Sequence, residues 1–159
     1  MKTPEPTSYW HPYLEQTHAI SLTAMDEGRH PFGAVLVGAD GEVLMEQGNL
    51  GTVRHAETEL ARRASETYDP ETLWSYTLVT NGEPCAMCMG TIYWANIGRV
   101  VYGFSETDLL DLTGAHEENP TLNLPCRTVV AAGQKDIEII GPFPELRETL
   151  LEPHRNFWK

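Results

Sequence analysis

Two short segments of the sequence carry side chains that proteins use to hold a metal ion. Cys85 and Cys88 lie three positions apart in the segment PCAMC, directly after Pro84. A proline at this place favours a helix start, so that the two thiols share one helix face. The positive end of the helix dipole favours thiolates over thiols there. The pair alone is compatible with packed thiols, a redox-active pair or half of a zinc site.

The upstream segment HAE supplies what the cysteine pair lacks. His55 and Glu57 fall in the first turn of a predicted helix. One imidazole and two thiolates give three ligands and leave a fourth position for water, which is typical of a catalytic zinc site. Glu57 can take a proton from that water and pass it on. A structural zinc site would need Cys126 or His116 as a fourth ligand, although Cys126 more simply fits a buried apolar position.

The rest of the chain predicts helices and strands in alternation. Asp40-Gly41 indicates a hairpin between FGAVLVG and EVLMEQ. Helices then begin at HAE and PCAMC, and they are followed by the buried strands YTLVT and RVVYGF, respectively. TVVAA or DIEII supplies the last strand, and PELRETLLEPHRNFW closes the chain as a helix. This order indicates an α/β sandwich whose sheet is mostly parallel after the first hairpin. A first helix over 8–27, ended by Gly28, has the core candidates Leu14, Ala19, Ile20, Leu22 and Met25.

The charge balance argues against some classes of partner. The 159 residues include 11 Lys and Arg against 23 Asp and Glu, for a net charge of -12. Nucleic-acid-binding proteins usually present a basic patch, so we expect a neutral small molecule rather than nucleic acid.

No segment is apolar enough to span a membrane, the start MKTPEPTSYW has no apolar signal region, and three cysteines do not suit a disulfide framework. We expect one cytoplasmic domain over residues 1–159.

Residues 10 to 112 resemble the cytidine and deoxycytidylate deaminase superfamily, in particular the branch with guanine deaminases and tRNA adenosine deaminases. The resemblance lies in PFGAVLV, in GN before HAE, in EPCAMCMGTIYWA and in RVVYG. H-x-E followed by P-C-x-x-C is the pattern of zinc nucleobase deaminases. The resemblance implies a three-layer α/β/α fold with a mixed five-stranded sheet, usually assembled as a homodimer. It also implies one Zn²⁺ per chain, held by His55, Cys85 and Cys88, with Glu57 as the proton shuttle.

The same resemblance implies a set of substrate contacts. Asn49 matches the residue that hydrogen-bonds the base, although it also fits a simple turn. The backbone of Gly33 and Ala34 is expected beside the pocket, and the N–H of Ala56 near a ring carbonyl.

Four aromatic residues are further candidates for the pocket. Phe32 and Trp94 are expected to stack on a planar ring, with core packing as the alternative for each. In guanine deaminases an aromatic tail covers the active site, so Phe157 or Trp158 is expected to do the same here. Docking of the last helix on the core is the alternative.

Two departures from the family pattern bear on the substrate. The stretch LGTVR between Asn49 and His55 is shorter than is usual in guanine and tRNA enzymes. Ala115-His116 stands where guanine deaminases carry an acidic pair, so His116 is a candidate to shuttle a proton or to cap the ring, with a solvated loop residue as the alternative. Asp108 and Asp111 are nearby acidic candidates, which also suit helix capping.

These features predict hydrolytic deamination of a cyclic amidine. Water activated by the metal attacks the carbon that bears the amino group, Glu57 protonates the ring nitrogen and the leaving amine, and ammonia departs. We expect a free base with a 2-amino-4-oxo face, guanine first and isocytosine or ammeline close behind, because such rings need no phosphate-binding patch. The alternatives are a tRNA adenosine deaminase, which the acidic chain disfavours, and an idle zinc-binding partner subunit, which the intact Glu57 disfavours.

Overall fold

A five-stranded sheet in the order β2-β1-β3-β4-β5 forms the centre of the protein. The structure is a computed structural model that describes residues 7–114, 116–117 and 119–158. The strands are β1 (Gly33–Val37), β2 (Val43–Gly48), β3 (Thr77–Gly82), β4 (Arg99–Phe104) and β5 (Glu138–Ile140). The described helices are α1 (His11–Asp26), α2 (Ala56–Thr67), α3 (Pro70–Trp74), α4 (Ala86–Ala95), α5 (Glu106–Thr113), α6 (Cys126–Ala131), α7 (Arg147–Leu151) and α8 (His154–Phe157), with 3-10 turns at Thr7–Trp10 and Pro144–Leu146.

The sheet is mixed, as the resemblance predicted. β1 pairs antiparallel with β2 and with β3, whereas β3, β4 and β5 run parallel. The predicted hairpin between β1 and β2 is confirmed: Gly41 has φ 90° in its turn, and Asp40 Oδ1 accepts the N–H of Glu42 at 3.1 Å. Of the two candidates for the last strand, DIEII contributes β5, while most of TVVAA belongs to α6.

Helices cover both faces of the sheet, which confirms the three-layer architecture. Successive strand residues point to opposite faces of the sheet. Because all residues of β1, GAVLV, are buried, both faces of this strand are covered. One face packs against α2, α4 and α6 through Ala34, Leu36, Leu78, Val100 and Tyr102. The other face packs against α1 and the 3-10 turn before it through Val35, Val37, Val79 and Val101.

The contact between α1 and β1 leaves no room for a side chain at position 33 of the strand. A Cβ at Gly33 would lie 2.5 Å from the carbonyl oxygen of Thr17 and 2.8 Å from the side chain of Ile20. The predictions that Ala19 and Leu22 belong to the core are wrong, since both are exposed, Leu22 to 37%. The helix instead turns mostly small or hydroxylated residues toward the strand: Leu14, Thr17, Ser21 and Ala24.

The carboxyl ends of β3 and β4 meet at one edge of the sheet. The N–H of Glu83 donates to the carbonyl of Phe104 at 2.8 Å and so continues the pairing past the end of β3. α4 and α5 start just beyond this edge, where α/β proteins commonly bind ligands. The predicted closing helix is divided into α7 and α8 around Pro153, and the described part of the chain contains no helix that could cross a membrane.

Candidate metal and substrate site

Three donor atoms converge beside this edge of the sheet. His55 Nδ1 lies 3.6 Å from Cys85 Sγ and 3.4 Å from Cys88 Sγ, and the two sulfur atoms are 3.5 Å apart. Among the described residues these three side chains form the group that could hold a metal ion. Cys126 and His116, the candidates for a fourth ligand, do not belong to it. The arrangement is that of a site with three protein ligands and one position left for water.

Two helix starts place the donors. His55 is the N-cap residue of α2 and Cys85 the N-cap residue of α4, both with extended backbone angles. Their carbonyl oxygens accept the first helical hydrogen bonds, from Glu59 at 2.9 Å and from Met89 at 2.8 Å. Because α2 and α4 pack side by side on one face of the sheet, the two N-termini lie together. Cys88, on the first turn of α4, faces the same space.

The charge state of the thiols suits a divalent cation. A hydrogen bond with Cys88 and the proximity of His55 lower the pKa of the Cys85 thiol to about 4, which favours its thiolate form. The same hydrogen bond, together with burial, raises the pKa of Cys88, because two adjacent thiolates repel without a cation between them. The hydroxyl of Thr58 donates to Cys88 Sγ at 3.2 Å and supports its ionised form. A bound dication therefore completes the donor set that the residues present.

Glu57 follows the ligand His55 by two positions, in the first turn of α2, and lines the pocket. Its side chain is buried, with 5% of the residue exposed, and its Oε1 has no hydrogen-bond partner among the described residues. Burial raises the pKa of this carboxyl to about 7, against the opposing effect of His55. An unpartnered buried carboxyl oxygen beside a metal group is placed to exchange protons with a ligand in the pocket.

A pocket of about 310 Å³ opens over the metal group. Glu83 and Glu106 supply carboxyl groups to its wall in addition to Glu57, and none of its described lining residues is Lys or Arg. Burial and the nearby Cys85 thiolate raise the pKa of Glu106 to about 8. The remaining described lining residues are mostly apolar or uncharged: His30, Phe32, Thr52, His55, Cys85, Met87, Phe104, Leu109, Asn119, Pro120, Thr121 and Leu122.

Of the residues predicted to contact the substrate, Phe32 lines the pocket. Gly33 and Ala34 are buried in β1, and Ala56 is buried at the start of α2. None of the three lines the pocket, and the contacts predicted for their backbone stay predictions. Asn49 is buried as well, and its Oδ1 accepts the N–H of Gly51 at 3.3 Å, which is the turn geometry that the sequence left open.

The structure places Trp94 elsewhere than predicted. The residue is 80% exposed and lines a separate shallow depression between α2 and α4. Cys85 and Trp94 are nine positions apart, or about two and a half helical turns, so they point to opposite sides of α4. Trp94 therefore does not stack on a ring in the pocket of its own chain.

The acidic and tail candidates lie around the pocket rather than in it. Asp108 forms a capping box with Ser105 at the start of α5 and pairs with Arg147 at 3.3 Å. His116 is half-buried, 6.0 Å from the ring of Trp158, and does not line the pocket; Ala115 lies outside the described residues. The exposed Asp111 is not among the lining residues either.

The tail packs behind the pocket and does not cover it. Trp158 is buried against His30, with ring centroids 4.5 Å apart, and its Nε1–H donates to His154 Nδ1 at 3.1 Å. Phe157 lies 5.5 Å from the same His30. Since His30 lines the pocket, the tail supports one wall from behind, which corresponds to the alternative of core docking.

Sequence reasoning missed Glu83, Glu106, His30 and the segment 119–122, all of which line the pocket. Glu83 directly follows β3, and Glu106 comes two positions after the end of β4. The rule that ligands bind at the carboxyl ends of parallel strands would therefore have indicated both residues. His30 and 119–122 reach the pocket through the tertiary fold, and no local pattern marks them.

Comparison with known proteins places the chain in a family. Residues 9–104 match the family model described as the cytidine and deoxycytidylate deaminase zinc-binding region. The chain is 37% identical over 150 residues to a Schizosaccharomyces pombe protein named a probable cytosine deaminase, which covers 92% of this chain and 90% of that protein. It is 41% identical over 102 residues to the guanine deaminase of Bacillus subtilis, or 60% of this chain and 65% of that protein.

A solved structure from a study of tRNA:A34 deaminases, which edit A to I at the wobble position, superposes with a TM-score of 0.66. It is 26% identical and covers 87% of this chain and 96% of that chain. The chain thus belongs to the cytidine and deoxycytidylate deaminase family, a family of hydrolytic deaminases with zinc as cofactor, and His55, Cys85 and Cys88 form the group that can bind the ion.

Proposed function

We propose that this protein is a hydrolytic deaminase of a free nucleobase. The observation that carries the proposal is the lining of the pocket, where the carboxyl groups of Glu57, Glu83 and Glu106 stand without a Lys or Arg among the described residues. A substrate phosphate brought to this wall would meet carboxyl groups and no Lys or Arg to pair with it. A neutral base suits it, because ring N–H and amino donors match carboxyl acceptors.

The chain's own residues account for binding and proton transfer. His55, Cys85 and Cys88 would hold zinc, which would act as a Lewis acid and lower the pKa of water at the site. Phe32 offers a ring face against which a planar base can lie. Water adds to the ring carbon that bears the amino group, and Glu57 carries the water's protons to the ring nitrogen and to the leaving amine. Ammonia then departs and a carbonyl remains.

The pocket size and the relatives bear on the choice of base. A volume of about 310 Å³ is at the lower end of the range for ligand pockets, which suits a free base. Guanine, isocytosine and ammeline share the 2-amino-4-oxo face that we expect from the sequence. Cytosine is a second candidate, because the similarity to the probable cytosine deaminase covers 92% of this chain, against 60% for the guanine deaminase.

Ammonia release from the zinc-loaded protein tests the proposal. The panel comprises guanine, isocytosine, ammeline, cytosine, adenine, their nucleosides and tRNA, with zinc per chain measured on the same sample and Glu57→Gln as the matched control. We expect turnover of at least one free base that is lost in the control, and the ratio of guanine to cytosine turnover assigns the ring. Turnover of tRNA alone refutes the free-base proposal. Silence across the panel with zinc bound favours a non-catalytic partner subunit.

The exposed face of α4 supports assembly as a homodimer. The helix reads AMCMGTIYWA and is apolar around most of its circumference, which is typical of a helix covered on all sides. Its outer face nevertheless carries Met87, Gly90 and the exposed Trp94 along an open depression. Met87 also lines the substrate pocket, so a second copy bound here would stand at the mouth of the site.

Light scattering across a protein concentration series tests the homodimer. We expect the wild type to be dimeric and Trp94→Asp to be monomeric, because the substitution places a charge in the apolar contact. Leu22→Asp is the matched control, since Leu22 is exposed on α1, which packs on the opposite face of the sheet. A monomeric wild type, or a Trp94→Asp variant that stays dimeric, would contradict this assembly.

A further inference from the structure

Glu83 joins three parts of the fold at the edge of the pocket. Its backbone is fixed to β4 by the hydrogen bond to Phe104. Its Oε1 accepts the N–H of Glu106 at 2.9 Å, and its Oε2 accepts the N–H of Cys126 at 2.8 Å. A single side chain therefore connects the sheet edge to the first residues of α5 and α6.

The two bonded amides mark the ends of the segment 106–126; we call its described residues, 106–114, 116–117 and 119–126, the substrate wall. Its pocket-lining members are Glu106, Leu109, Asn119, Pro120, Thr121 and Leu122. Glu83 precedes Cys85 by two positions. The substrate wall is thus anchored on the turn that also carries a metal ligand.

Neither amide has another acceptor in its helix, because the first N–H groups of a helix have no intrahelical partner. The capping box of α5 uses the N–H groups of Ser105 and Asp108 and leaves that of Glu106 to Glu83. α6 has no side-chain cap from its N-cap residue, Pro125. Both ends of the substrate wall therefore depend on the same carboxyl group on their pocket side.

We propose that Glu83 is a positioning residue that fixes the substrate wall relative to the metal ligands and thereby sets the fit of the base. Its part in substrate fit rests on the proposed function, whereas the anchoring itself does not. Other contacts hold the wall and the residue that follows it: Asp108 pairs with Arg147 at 3.3 Å, and Arg127 donates to the Tyr102 hydroxyl at 2.9 Å. Loss of the Glu83 bonds consequently loosens the pocket side while the wall stays attached.

Glu83→Gln is the variant that tests the anchoring. The substitution replaces one of the two carboxyl oxygens with an NH2 group. This group is a hydrogen-bond donor and would face the backbone N–H of Glu106 or of Cys126, which is also a donor. Glu71→Gln, at an exposed position in the first turn of α3, removes the same formal charge away from the pocket and is the matched control. Amide hydrogen exchange of the zinc-loaded proteins, followed by peptide mass spectrometry, reports on the substrate wall without any substrate.

We expect peptides around residues 106 and 126 to exchange roughly tenfold faster in Glu83→Gln, since each amide there is held by one bond to Glu83. Peptides from β1 and α2 should keep their rates, and Glu71→Gln should match the wild type throughout. Unchanged exchange in the wall overturns the anchoring. A uniform rise over the whole sheet also overturns it, because that result reports a general loss of stability.

Steady-state kinetics on the base with the highest turnover distinguishes a role of Glu83 in substrate fit from a role in supporting the fold alone. We expect KM to rise roughly tenfold in Glu83→Gln, with a smaller change in kcat and an unchanged zinc content. Faster exchange with unchanged KM and kcat overturns the positioning role. If the wild type deaminates no base, the proposed function fails while the exchange result still decides the anchoring. If Glu83→Gln does not fold, Glu83→Asp, whose shorter side chain cannot reach both amides, is measured in the same way.

Discussion

His154 is held neutral inside the protein, and this gives the stability of the fold a defined dependence on pH. The residue is 1% exposed, and burial lowers its pKa to about 3, helped by the nearby His30 and His18. Its Nδ1 accepts the Nε1–H of Trp158 at 3.1 Å, so a proton on Nδ1 would set two donors against each other. The unfolded chain has no such restriction and binds a proton near the ordinary pKa of about 6.5.

The sign and the size of the effect follow from these pKa values. Since the folded-state pKa is depressed, the contribution of His154 to stability is present above about pH 6.5 and is lost as the pH falls toward the folded value. Between about pH 7.5 and about pH 5 the unfolded state gains nearly one proton that the folded state does not. The free energy of unfolding therefore falls by about 2 kcal/mol over this interval on account of His154 alone.

Urea unfolding of the wild type and of His154→Gln over this pH range tests the prediction. The difference between the two proteins matters, because the pH dependence of metal binding is common to both and cancels. We expect the stability of the wild type relative to the variant to fall by about 2 kcal/mol from about pH 7.5 to about pH 5. Phe157→Leu, which alters the same tail but keeps His154, should retain the wild-type pH dependence. A difference that stays constant with pH would show that His154 titrates normally in the folded protein and would refute the reasoning.

Three further predictions concern the site and the packing. Glu57→Gln should keep zinc, measured by elemental analysis, and lose about 10²–10⁴-fold in turnover, because the proton carrier is gone; wild-type turnover would remove Glu57 from the mechanism. Cys85→Ala should lose the ion and unfold at lower urea, since metal binding also contributes folding free energy; one zinc per chain would contradict the ligand assignment. Gly33→Ala should lower the free energy of unfolding by about 1–3 kcal/mol through overpacking against Thr17. Gly51→Ala, where a Cβ meets no atom within 4 Å, should change it far less, and equal effects would contradict the packing argument.

The metal group was predictable because its geometry is local to two helix starts. His55 and Cys85 each begin a helix, and a three-residue spacing brings Cys88 to the same face as Cys85. The order of helices and strands was predictable for a similar reason, since strands buried on both faces read as short apolar runs between turn residues. The ambiguity between TVVAA and DIEII could not be resolved locally, because β-branched residues occur in both and pairing with β4 decides which one is a strand.

Two apolar residues, Leu22 and Trp94, lie at exposed positions although the sequence predicted a core position for the first and a pocket position for the second. Leu22 was predicted to belong to the core, yet the buried residues of α1 are Leu14, Thr17, Ser21 and Ala24, and Leu22 lies outside this face. Trp94 was predicted to stack on the substrate, although helical geometry already places it opposite Cys85. Its exposure became visible only once α4 was packed on the sheet.

The sequence by itself determined the three possible metal ligands, the position of Glu57 next to one of them and the class of fold, because these depend on two short motifs at helix starts and on apolar periodicity. The tertiary structure decided the walls of the pocket and the environment of the buried ionisable groups. Glu83 meets Glu106 and Cys126 across separations of 23 and 43 residues, and His154 becomes buried only when the tail docks behind the pocket. Hydrogen bonds and burial of this kind arise between distant segments, and only the folded chain brings those segments together.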